Sequence, residues 1–217
     1  MARPWHPIPI VESNEPLVEL PAELLRWQPH PYMALGAPYG EGCDPFRLRH
    51  GVVQRLLQAQ AQLQAEHPQL QLLIFDAFRP LAVQHFMVEY TRGLPGVSEA
   101  EVQALWAAPS RNPATPPPHS TGAAVDLTLA SRAGEPLAMG GEIDAVGNIA
   151  KPLHFEAAAA GTLEAQFHLH RCWLAQAMGA AGFARHPGEW WHFSWGDQLW
   201  AWSSGEPQAC YGRAAQA

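Results

Sequence analysis

Ala123-Ala-Val-Asp126-Leu-Thr-Leu129 reads as a β-strand with no wet face. It is short, apolar and partly β-branched, the signature of an interior strand. One carboxylate interrupts it. Burying a charge is costly unless it is paired or bound to a metal. Any fold that buries this strand must therefore bring a partner to Asp126, and the possible partners are few.

Two histidines can meet it. His119 lies before Gly122, which can turn the chain so that the imidazole comes back over the strand. His192 lies in an aromatic, β-prone stretch, Glu189 to Trp195 (EWWHFSW). Two imidazoles and one carboxylate are three protein ligands, and a catalytic zinc site keeps its fourth position open. A structural zinc site more often uses cysteine, and none lies near these stretches. Glu189 stands three residues before His192, so in an unbroken strand it would face away. To face the same centre it must sit in the turn around Pro187-Gly188. There it would take a proton from attacking water and pass it on. Arg79, in Phe75-Asp-Ala-Phe-Arg79-Pro80 at a strand end, would hold the oxyanion.

Each residue also has a duller account. Asp126 could accept backbone hydrogen bonds or pair with an arginine, and His192 could be packed core. His168 and His170 fall in a helical pattern, where residues two apart do not share a face, so they are read as surface or core. His186 and His154 are read at most as groups behind the ligands. Trp190, Trp191, Trp195, Trp200 and Trp202 are assigned to core packing rather than a carbohydrate platform. A ligand set of two histidines and one carboxylate also suits iron. The Glu-x-x-His context favours hydrolysis.

The rest of the chain supplies a frame. Pro45 to Glu66 is helical in period, with Asp44 as the expected N-cap. Leu70–Phe78 is an interior strand and Leu81–Thr91 a helix. Ser98-Glu-Ala-Glu101 is a capping box opening a short helix. A proline-rich loop spans 109–118, and Gly and turn residues fill 131–152. A second long helix runs from a Thr162 cap to a Gly182 stop. No βαβ rhythm, repeat or linker divides the chain. The expectation is a single α+β domain: a small central antiparallel sheet carries the metal, with helices packed on one face. Residues 1–44 are read as an irregular segment lying on the domain, 45–205 as the catalytic domain and 206–217 as a tail.

Composition narrows the partners. The formal net charge is −7, with only 13 Lys and Arg, which argues against nucleic acid. Three separated cysteines, Cys43, Cys172 and Cys210, are read as reduced thiols. The N-terminus lacks the apolar stretch of a signal peptide, and no run of about 18 apolar residues exists. A soluble, cytoplasmic protein without a membrane partner is expected. Nothing in these patterns sets an oligomeric state.

Taken together, the motifs resemble a family. His119-Ser-Thr-Gly122-Ala-Ala-Val-Asp126 resembles the H-x-x-G-x-A-x-D motif of zinc D-alanyl-D-alanine dipeptidases of the VanX type. Glu189-Trp-Trp-His192 is similar to the E-x-W-H motif of the wider group, which includes D-Ala-D-Ala carboxypeptidases and phage endolysins. Asp76-Ala-Phe-Arg79-Pro80 is similar to its D-x-x-R-P segment, and Met139-Gly140 with Asp144 to an M-G-x-x-[FI]-D stretch. The resemblance covers roughly residues 45 to 196. It implies one zinc ion per chain held by His119, Asp126 and His192. It implies Glu189 as acid and base, Arg79 as transition-state stabiliser, and a small D-amino-acid peptide as substrate. Two features depart from it. Pro117 stands where the family has a serine that helps hold the substrate's ammonium group, and the N-terminal tyrosine segment is echoed only near Tyr32 and Tyr39. These three positions are the candidates for substrate contact. Two rival readings follow: a zinc carboxypeptidase or endopeptidase of longer wall peptides, and a zinc-binding module without catalysis.

Overall fold

The computed structural model describes residues 3–215. Its central strand, β5 (Ala124–Ser131), is buried on both faces, as its sequence demands. Alternation divides its side chains. Val125, Leu127 and Leu129 join the main core with Val53, Leu56 and Leu63 of α2 (His50–Glu66) and Leu174 and Met178 of α5 (Leu163–Ala180). Asp126 therefore points to the opposite face of the sheet.

β5 pairs antiparallel with β4 (Leu70–Asp76) on one side and with β7 (His192–Ser194) on the other. β6 (Ala184–Arg185) continues the antiparallel order beyond β7. β2 (Leu25–Arg26) adds to the far edge in parallel with β4, so the five-stranded sheet is antiparallel except at that edge. A separate antiparallel pair joins β1 (Leu17–Glu19) to β3 (Arg47–Arg49). The α+β class agrees with the sequence reading. The placement of helices on a single face does not. α3 (Leu81–Arg92) and α4 (Glu99–Leu105) form a second apolar cluster, in which Val83, Met87, Val102 and Trp106 surround Tyr32 and pack against Phe75.

Other differences are local and have physical causes. α2 begins at His50, not Pro45, because the Asp44 carboxylate accepts from the Phe46 amide and makes a turn there. The helix start is instead served from a distance, the Gly51 amide donating to the Glu15 carboxylate. The segment read as irregular contains β1, β2 and the one-turn α1 (Pro31–Ala34), elements too short to show a period. The strand expected over Glu189–Trp195 is confined to β7. The capping box at Ser98 and the Thr162 cap are both present. A final helix, α6 (Gln198–Ser204), precedes the C-terminal segment, where Ala209 and Cys210 hydrogen-bond to residues 9, 11 and 13. Among the described residues, no helix is long and apolar enough to cross a membrane. The three cysteines are free.

Candidate active site

Three neighbouring strands set a row of polar side chains across the sheet. His192, the first residue of β7, lies directly opposite Asp126. Asp76, the last residue of β4, lies opposite it on the other side. The second pairing depends on a β-bulge. Ile74 pairs with Leu127, so regular pairing would put Phe75 beside Asp126; the bulge puts Asp76 there instead. A bulge re-aims a side chain in this way. His119 arrives from a single 3-10 turn, Pro118–Thr121. Gly122 ends that turn at φ +71° and feeds the chain into β5. The backbone thus favours glycine, and an added Cβ there would stand 2.2 Å from Leu17 Cδ2, so that side chain would have to move.

The three potential ligands are buried and converge. His119 Nε2 lies 3.1 Å from Asp126 Oδ2 and 3.2 Å from His192 Nδ1. His192 Nδ1 lies 3.0 Å from Asp126 Oδ1. His119 Nδ1 is 2.8 Å from the carbonyl oxygen of Ala77, which can only accept. That bond fixes the tautomer and leaves Nε2 to offer a lone pair. Burial pushes His192 below the usual histidine range, toward the neutral form that a metal ligand requires. Burial pushes Asp126 up, but the two imidazoles outweigh it and hold the carboxyl well below its usual range. Two imidazole nitrogens and a carboxylate facing one another form a donor set that a divalent cation satisfies.

Glu189 lies in the turn before β7, where the sequence reading put it, with Oε2 3.8 Å from His192 Nδ1. Burial, then the charges of Asp126 and Asp144, push it well above the usual glutamate range. His186 sits behind it, Nδ1 to Oε1 at 3.4 Å. This contact is not an ion pair. Burial keeps His186 neutral, and its Nδ1 accepts from the Gly188 amide. His154, by contrast, is exposed and meets Phe155 edge to face.

Arg79 is buried between the rings of Tyr32 and Trp106, about 5 Å from each centroid (5.0 and 4.9 Å). Its Nε and Nη2 donate to Asp76, Nη2 also to Asp126 and Tyr32, and Nη1 to Gln84. Tyr39 donates to Asp76 and Tyr32 to Asp144. Both tyrosines thus hold charged groups of the site. Pro117 is buried outside the cavity above the ligands, and its carbonyl accepts from Ser120. The sequence reading gave no role to Asp76, to His30, which contacts it at 3.2 Å, or to Gln84. The D-x-x-R-P segment was the signal available for Asp76. Asp144 also lines the cavity; burial and the charge of Asp126 push it up to about 7. Of the tryptophans, Trp190 and Trp191 are core, while Trp202 is exposed. His170 is buried and bonded to the Ala138 carbonyl.

Known proteins resemble the chain over most of its length. Residues 48–209 match the peptidase family M15 described as D-ala-D-ala dipeptidase. The chain is 43% identical over 222 residues to a D-alanyl-D-alanine dipeptidase of Synechocystis sp., covering 92% of this chain and 90% of that protein. It is 32% identical over 145 residues to a D-alanyl-D-alanine dipeptidase of Streptomyces coelicolor, covering 62% of this chain and 66% of that one. A solved structure of the LdcB LD-carboxypeptidase, described in terms of peptidoglycan recognition, aligns at TM-score 0.47 and 18% identity, over 84% of this chain and 70% of that chain. With the family match spanning most of its length, the chain belongs to the D-ala-D-ala dipeptidase family of metallopeptidases.

Proposed function

We propose that this enzyme is a zinc-dependent dipeptidase that hydrolyses D-Ala-D-Ala or a closely related D-amino-acid dipeptide in the cytoplasm. The observation that carries the reading is the buried His119–Asp126–His192 cluster with the Glu189 carboxylate 3.8 Å from one of its nitrogens. One zinc ion, which those three residues would hold, would supply a Lewis acid for the scissile carbonyl and lower the pKa of the attacking water so that it can be deprotonated.

The chain's own residues do the rest. Glu189 takes the proton of the attacking water at a carboxylate oxygen and returns it to the leaving amine. Its raised pKa suits a group that must hold that proton between the two steps. Arg79 faces the developing oxyanion, and Asp76, Gln84 and Tyr32 fix its guanidinium before substrate arrives. Asp144 offers its carboxylate to the substrate's ammonium group, which relieves the repulsion from Asp126. This assignment needs no hydroxyl at position 117.

The test is release of D-alanine from free D-Ala-D-Ala by zinc-reconstituted protein. Glu189→Ala should keep its zinc and lose about 10²–10⁴-fold in turnover. Near-normal turnover by a metal-replete Glu189→Ala sample would sink the reading. One observation favours longer peptides as a second reading. A neighbouring cavity of about 220 Å³ shares Arg3, Trp5, Trp106, Ala107 and Pro118 with the site. Preferential cleavage of an N-blocked dipeptide over the free one would select it.

A further inference from the structure

One wall of the cavity above the ligands comes from a segment that no motif marks, the start of the described chain. Arg3 and Trp5 line that cavity together with Arg79, Asp144 and Glu189. Trp5 is buried edge-on against His186, with ring centroids 5.6 Å apart, and packs on Trp202 at 5.7 Å. Arg3 is latched as well. Its Nη2 donates to the carbonyls of Gln103, Ala104 and Trp106, at 2.8, 3.2 and 3.4 Å, where α4 ends. The C-terminal end of a helix favours a cation. These bonds leave Nε and Nη1 without a partner among the described residues, and no carboxylate there pairs with Arg3.

The charges of the cavity are otherwise one-sided. Asp126, Asp144 and Glu189 are acidic, and the cation of Arg79 is shared between Asp76 and Asp126. A free dipeptide carries a carboxylate one residue beyond its scissile carbonyl, about 3.5 Å along the chain. That carboxylate must lie in the same cavity, where, among the described residues, Arg3 is the lining arginine that no carboxylate already pairs. The geometry points to Arg3 as the anchor of the substrate's terminal carboxylate, a specificity residue that makes a free C-terminus part of recognition. The inference rests on the dipeptidase reading for its substrate. Guanidinium and carboxylate are matched in shape as well as in charge.

The experiment separates the two claims. Zinc-loaded Glu189→Ala protein, with and without Arg3→Ala, is titrated calorimetrically with D-Ala-D-Ala and with its C-terminal amide. The parent should bind the acid about tenfold or more tightly than the amide, and Arg3→Ala should abolish that preference. Arg3→Lys should retain part of it, and thermal melts of each variant check the fold. An acid-to-amide ratio unchanged by Arg3→Ala overturns the inference, as does a parent with no preference. Equal weakening of acid and amide overturns it too, because that is what loss of a purely structural latch would give. Wild-type protein that shows the Arg3-dependent preference but releases no D-alanine would sink the proposed hydrolysis and leave the anchor standing.

Discussion

At Asp76 four donor atoms meet one buried carboxylate. His30 Nε2 and the Tyr39 hydroxyl reach Oδ1, and Arg79 Nε and Nη2 reach Oδ2. Burial pushes this carboxyl up, but Arg79, with His30 and His119, outweighs burial and brings it to about 2. A carboxyl depressed in the folded state adds stability that is present in full above its ordinary value of 3.8. That stability is lost as the pH falls through about 2. Asp76→Asn should cost about 3 kcal/mol at pH 7, because it strips a buried guanidinium of its main partner. The deficit should stay constant down to 3.8 and shrink toward 2, as denaturant titrations at several pH values would register. A deficit independent of pH would show that the charge of Asp76 is not what stabilises the fold. The residues of the clustered His119–Asp126–His192 set were legible in sequence because each stands as a polar exception in an apolar or aromatic run. Asp76 was less so, since its role depends on a register that no local pattern encodes.

Among the elements, the 3-10 turn and β5 act as one unit, joined at Gly122. An alanine there would adopt a left-handed conformation costing about 1–2 kcal/mol, and would also displace Leu17 of β1. Gly122→Ala should therefore lower stability by about that amount. It should also weaken zinc binding, because His119 and Asp126 lie on opposite sides of the joint. Competition with a chromogenic chelator measures the second effect, and unchanged zinc affinity would contradict it. Sequence periodicity located the long helices and the two long strands well. It missed β1, β2, β3 and β6, which have two or three residues each and owe their existence to their partners. It misplaced the start of α2 because Asp44 makes its own local turn while Glu15, far away in sequence, serves the helix.

For the whole molecule, the sheet separates two jobs. The main core lies between the sheet and the helices α2 and α5 and contains none of the three proposed ligands. Removing the metal should therefore leave a folded but less stable protein. With free zinc a thousandfold above its Kd, the loss is about 4 kcal/mol, on the order of 10 °C in Tm for a chain of this size. Calorimetry with and without chelator checks this, and a chelated protein already unfolded at room temperature would refute the separation. No pattern along the chain announces that its first described residues wall the cavity, because that contact joins positions about a hundred residues apart. The other end comes close as well, the Ala214 amide donating to the Ser120 carbonyl beside His119. A change at Arg3 or Trp5 should thus be felt at the cavity wall, and one at Ala214 in the turn that carries His119.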